Sequence, residues 1–147
     1  MKFISHRGNL KDKIPLLENQ SEYIDEALSL GLDVEIDIWV DKLDNIWLGH
    51  DRADYQIDIN WLIDRSSNLW IHCKNITALQ YFNSLELLDF NYFFHDTDLA
   101  TLTSKGFIWA YPGNQPIKGS IAVLPEMYGD DVSECYGICS DKILLYK

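Results

Sequence analysis

Between Asp33 and Val40 the chain alternates without a break. Val34, Ile36, Ile38 and Val40 are aliphatic, and Glu35, Asp37, Trp39 and Asp41 stand among and after them. A period of two is the mark of a β-strand. Shorter runs predict strands over 3–6, 46–49, 69–74, 92–95, 107–111, 120–124 and 136–140, with Asp44-Asn45 turning the chain before 46–49 and Pro112-Gly113 ending 107–111. The period lengthens between them. Tyr23, Ile24, Ala27, Leu28 and Leu30 make one helix face, Asn19 stands as its cap with Glu22 three residues on, and Gly31 stops it. Further helices are predicted over 59–63, 78–88 and 99–105, the last closed by Gly106.

Strands alternating with helices imply a mostly parallel sheet with helices outside it. With 147 residues there is room for one domain, 1–147, and its core. The expected fold is therefore α/β, a minimal or truncated TIM-type (β/α) barrel with short or missing helices, since a full barrel usually needs about 250 residues. The later half is expected to be the thin one, because 113–119 carries no helical pattern.

Charge narrows the partners. Twelve basic against 23 acidic residues give a net charge of −11. So acidic a surface argues against nucleic acid and against anionic membranes, while leaving room for a small phosphate compound in a locally neutralised pocket. No run of 18 apolar residues exists for a membrane span, and 1–6 do not read as a secretory signal. The three cysteines, Cys73, Cys135 and Cys139, then read as reduced thiols of a cytoplasmic protein. Cys135 and Cys139 lack a second pair to complete a zinc site.

Glu35 and Asp37 are the strongest chemical feature. Alternation puts both on one face of their strand while Val34, Ile36 and Ile38 pack outward under helices. Two carboxylates on an inner face need compensation, and a hard divalent cation is a natural partner. The same pattern also fits an exposed face of an antiparallel strand. All four histidines, His6, His50, His72 and His95, fall in or at the ends of predicted strands, with Arg7 and Lys74 close by. Imidazoles exchange protons near neutral pH, so two flanking a phosphate can serve as acid and base. Trp39, Trp47, Trp61 and Trp70 read as core or rim aromatics. Trp109, Tyr111 and His95-Asp96 are candidates to line a pocket, Cys73 reads as a buried small residue, and Glu126 is a remote candidate for a replacement ligand.

Four short motifs occur in order: Ile4-Ser5-His6-Arg7-Gly8, Glu18-Asn19, Gly31-Leu32-Asp33-Val34-Glu35-Ile36-Asp37 and Leu48-Gly49-His50-Asp51. Together they resemble the glycerophosphodiester phosphodiesterase family, of the phosphatidylinositol-phospholipase-C-like barrels. Residues 136–141 look like that family's last strand. The resemblance implies a hydrolase in which His6 and His50 are the acid/base pair and Glu35 and Asp37 hold one divalent metal ion. Arg7 would contact phosphate, Glu18 would orient Arg7 or the metal's surroundings, and Lys74 would sit near the phosphate. His72 stands where the family usually has a third, glutamate ligand. The metal would be magnesium, calcium or manganese, and a transition metal if His72 coordinates.

The implied substrate is a small glycerol- or sugar-linked phosphodiester. Competing readings are a non-catalytic relative that binds a phosphorylated ligand or a protein, and a homodimer using sheet edges left uncovered. His6 and His50 are expected to be partly exposed in a cleft.

Overall fold

The structure is a computed structural model that describes residues 1–85 and 87–147. Among the described residues the chain forms ten strands and three short α-helices. The strands are β1 (Lys2–His6), β2 (Asp33–Val40), β3 (Ile46–Leu48), β4 (Tyr55–Ile57), β5 (Leu69–Cys73), β6 (Asn91–Phe94), β7 (Ala100–Leu102), β8 (Ile108–Ala110), β9 (Ile121–Val123) and β10 (Gly137–Ser140). The helices are α1 (Ser21–Ser29), α2 (Ile59–Ile63) and α3 (Ile76–Ser84).

Parallel pairing runs from β6 through β5, β2, β1, β10 and β9 to β8. The far half of β2 also pairs with β3 in antiparallel fashion, β3 with β4, and β7 with β8. This mixed ten-stranded sheet is not the expected TIM-type barrel of alternating β/α units. Parallel strands need crossover connections. Helices supply these early in the chain, as α1 before β2 and α3 before β6, but no α-helix lies between β8 and β10. The lack of helical periodicity over 113–119 is the sequence cause.

Smaller differences have local causes. The helix expected over 99–105 is instead β7 and a hairpin turn. The amide of Gly106 donates to the Thr103 carbonyl at 2.8 Å, and Gly106 has φ 83°. The glycine that read as a helix stop closes a β-turn, and Thr101 and Thr103 are β-branched residues that suit strands. The helix expected over 78–88 ends at Ser84, and position 86 within it lies outside the described residues. β4 has no strand pattern of its own and forms by pairing with β3.

The central strands divide their side chains between two cores. Val34, Ile36, Ile38, Leu69, Ile71 and Cys73 meet Ile24, Ala27, Ala78 and Phe82 of the helices. The opposite face holds Ile4, Trp70, Phe93, Trp109, Ile121 and Cys139. His6 follows Ile4 on that second face, Glu35 stands opposite His6 in register, and Asp37 stands opposite His72. Residues two apart on a strand share a face. A polar layer therefore sits directly above an aromatic one, at the C-terminal ends of the parallel strands.

Candidate active site

The end of β1 delivers His6, and Arg7 follows with φ 57°. That left-handed conformation is uncommon for a residue with a side chain. It turns the chain so that Arg7 Nε lies 2.8 Å from Asp37 Oδ2, an ion pair without an aligned hydrogen bond, while Nη1 donates to Glu18 at 3.3 Å. Gly8, at φ 95°, is held to glycine because an added Cβ would lie 2.6 Å from the Tyr23 ring.

His50 arrives on the loop after β3. Gly49 beside it has φ 149°, and a Cβ there would meet the Arg52 carbonyl at 2.0 Å. Trp39, read as a core or rim aromatic, donates from Nε1 to the Gly49 carbonyl at 2.7 Å and so anchors this loop. His50 Nδ1 lies 3.4 Å from Asp37 Oδ2, and its Nε2 lies 3.5 Å from Arg7 Nη2.

Glu35 and Asp37 are buried, 2% and 0% exposed, on a strand paired in parallel on both sides. That excludes the exposed antiparallel face. His72 Nδ1 lies 3.1 Å from Asp37 Oδ1 and 3.7 Å from Glu35 Oε1. Burial would lower the His72 pKa, but hydrogen bonds to Asp37 and Glu35 and their charge outweigh it and raise it to about 9. Burial would likewise raise Asp37. Hydrogen bonds from His50 and His72 and the charge of Arg7 hold it well below the usual carboxylate range instead. Lys74 Nζ stands 3.7 Å from Asp37 Oδ1.

All eight residues that the sequence singled out as the centre meet here: His6, Arg7, Glu18, Glu35, Asp37, His50, His72 and Lys74. Three partners that the sequence did not assign join them. Asp141, just past β10, takes a 2.6 Å hydrogen bond from His6 Nδ1. Burial pushes its pKa up, but that bond, the His6 charge, Asn9 and Lys13 hold it down. Asn9 donates to both Glu18 and Asp141 at 2.8 Å. Asn19 does not cap α1, whose cap position is Gln20. Its side chain accepts from the Asp37 amide at 3.0 Å and donates to Asp37 Oδ2 at 2.9 Å. A strand-end position was the one signal for Asp141. For Asn19 the helix start masked the role.

His6 is more enclosed than expected, its side chain only 8% exposed because Asp141 and Glu35 flank it, whereas that of His50 is 40% exposed. Glu126 stays outside the centre, accepting from Ser140 Oγ at 2.8 Å. Cys135 and Cys139 form no site together. Cys135 donates to Gln115, and Cys139 is in the aromatic core.

The residues fit a divalent cation. One donor atom from each of Glu35, Asp37 and His72 lies within 4.8 Å of the others, the one such grouping among the described residues. Glu35 Oε2 and Asp37 Oδ1 are buried without an aligned hydrogen bond, although His72 Nδ1 lies 3.1 Å from Asp37 Oδ1. Four enclosed carboxylates, Glu18, Glu35, Asp37 and Asp141, face two permanent cations, Arg7 and Lys74. In the metal-free site the proton on His72 offsets one of the two negative charges left over; an imidazole that binds a metal must give up that proton, and the ion would then take its place as counter-charge to both. Two oxygens and one nitrogen suit manganese or another transition metal better than magnesium or calcium.

The centre opens into a cleft of about 680 Å³. The rest of its lining includes Phe94, His95, Trp109, Tyr111, Leu124 and Met127. The rings of His95 and Tyr111 stack with centroids 3.4 Å apart. Burial lowers the His95 pKa to about 4, with help from His72 and Lys74 and against the pull of Asp98 and Asp96. Compared with known protein families, curated proteins and solved structures, the chain finds no match.

Proposed function

We propose that this cleft cleaves a glycerol- or sugar-linked phosphodiester with the aid of one divalent metal ion. The observation that carries the reading is the meeting of a Glu35–Asp37–His72 donor set with two histidines and two basic side chains in one cleft. Glu35, Asp37 and His72 would hold the ion, which when bound would neutralise charge on the phosphoryl oxygens.

His6 acts as the base. Its Nδ1–H is committed to Asp141, which leaves Nε2 with a free lone pair, 3.8 Å from Glu35 Oε2. Nε2 takes the proton of the attacking hydroxyl, from water or from a neighbouring group of the substrate, and Asp141 stabilises the imidazolium that results. His50, nearer the rim and carrying a proton before attack, gives it to the leaving alkoxide, and between turnovers His6 releases its proton to solvent while His50 takes one up. Asp37 orients His50 through Nδ1, and Arg7 bounds the phosphate side. A second reading, binding of a phosphorylated ligand without turnover, draws on His72 standing where the resembled family usually has a glutamate ligand.

The test is hydrolysis of bis(4-nitrophenyl) phosphate by chelator-treated protein resupplied with manganese or magnesium. The expected result is metal-dependent turnover that His6→Ala lowers about a hundred- to ten-thousandfold. Absence of turnover with any divalent metal, or equal rates for His6→Ala, overturns the proposal.

A further inference from the structure

A second cavity of about 190 Å³ adjoins the cleft and shares Arg7, Lys13 and His50 with it. Its remaining wall includes Glu18, Asn19, Asp54 and Tyr55. A phosphodiester carries its phosphorus between two alcohol groups. If the phosphorus sits at the shared wall, one group enters each cavity.

The positive charge available at that wall is limited. Arg7 is held by Asp37 and Glu18, at 2.8 and 3.3 Å. Lys74 lies between Asp37 and His50 Nδ1, at 3.7 and 3.5 Å. Among the described residues the Lys13 ammonium has no carboxylate oxygen within ion-pair distance, and it is the Lys13 backbone amide that donates to Asp12, at 3.0 Å. The loop that carries it is nonetheless fixed. Asn9, fully buried, accepts from the amide of Ile14, the next residue, at 3.1 Å. The same Asn9 side chain donates to Glu18 and Asp141. The loop bearing Lys13 is thus tied to the groups that hold Arg7 and His6.

We infer that Lys13 is a phosphate-contacting residue, supplying an uncommitted positive charge to the non-bridging oxygens where the two cavities meet. The inference rests on the phosphodiesterase reading for its substrate, but not for its anion. Two measurements test it. Calorimetry with manganese-loaded protein reads the Kd of inorganic phosphate, and turnover of bis(4-nitrophenyl) phosphate reads KM and kcat.

Lys13→Gln should weaken phosphate binding about tenfold at low salt and raise KM more than it lowers kcat. Lys13→Arg should restore binding to within about threefold, and the gap between wild type and Lys13→Gln should narrow as salt screens it. Lys13 is exposed, so neither variant threatens the fold. Turnover with phosphate binding and KM unchanged in Lys13→Gln overturns this inference and leaves the proposed function standing. Lys13-dependent phosphate binding without turnover supports the inference and removes the phosphodiesterase reading. Neither phosphate binding nor turnover in the wild type overturns both.

Discussion

Two walls meet side by side in the cleft lining, and at their meeting the charged wall holds His72 and the aromatic wall holds His95, just past the neighbouring strand. On the charged wall His72 lies among Glu35 and Asp37 and is pushed up to about 9. On the aromatic wall His95 stacks on Tyr111 and is pushed down to about 4. Their ring centroids are 6.0 Å apart. The same side chain is driven in opposite directions by what surrounds it, carboxylates in one case and desolvation beside other cations in the other. One wall stores unbalanced charge and the other stores buried apolar surface, so they should answer different perturbations.

The largest expected effect is on the aromatic wall. Trp109 is 2% exposed and packs on Phe93 and Trp70 with centroids 4.7 and 5.6 Å apart. Trp109→Ala should cost about 3–5 kcal/mol in urea unfolding. Glu35→Gln, in chelator, should stay within about 1 kcal/mol of wild type, because the lost pairing with His72 at 3.7 Å is offset by removal of a buried negative charge. Equal losses from both would break the contrast between the walls.

Next comes pH. The folded-state pKa of His72 lies above its ordinary value of 6.5, so its proton favours the folded chain. That contribution is complete below about pH 6.5, fades as pH rises, and is gone above about 9. Metal-free protein should lose roughly 1–3 kcal/mol across this window, and His72→Gln should not. His95 works in the opposite sense. Its depressed pKa means stability is lost as pH falls from about 6.5 toward 4, and His95→Phe should remove that loss. Urea midpoints measured across pH for the three proteins separate the two histidines, and a wild-type curve that is flat from 6.5 to 9 would contradict the account of His72.

The smallest effect is on metal choice. His72→Glu replaces a nitrogen donor by a carboxylate and should shift the preference from manganese toward magnesium or calcium by about tenfold. Competitive metal titration of both proteins measures it. Identical preference would show that His72 does not coordinate.

Much of this could be read from the chain because its causes are local. The alternation of β2 places Glu35 and Asp37 on one face whatever surrounds them, and strand-end positions bring His6, His72 and Lys74 to one level. What could not be read depends on distant pairings. Asp141 meets His6 across 135 residues, and no spacing rule links them. Asn19 carries a residue type suited to a helix cap, but the tertiary environment uses its amide on Asp37 instead. The barrel expectation failed for a related reason. Strand periodicity was legible, yet it does not say whether the connections between strands are helices, and between β8 and β10 they are not.

The position of β1 has a consequence for how the protein is made. It pairs on one side with β2 and on the other with β10. As the chain leaves the ribosome, β2 follows β1 early, but the second neighbour emerges only when residues 137–140 have been synthesised. Until then β1 has an open hydrogen-bonding edge, and His6 has no Asp141 to hold its ring. The nascent polypeptide therefore carries most of its site residues before it carries a working site, and assembly awaits a late, long-range closure, the kind of contact that slows folding.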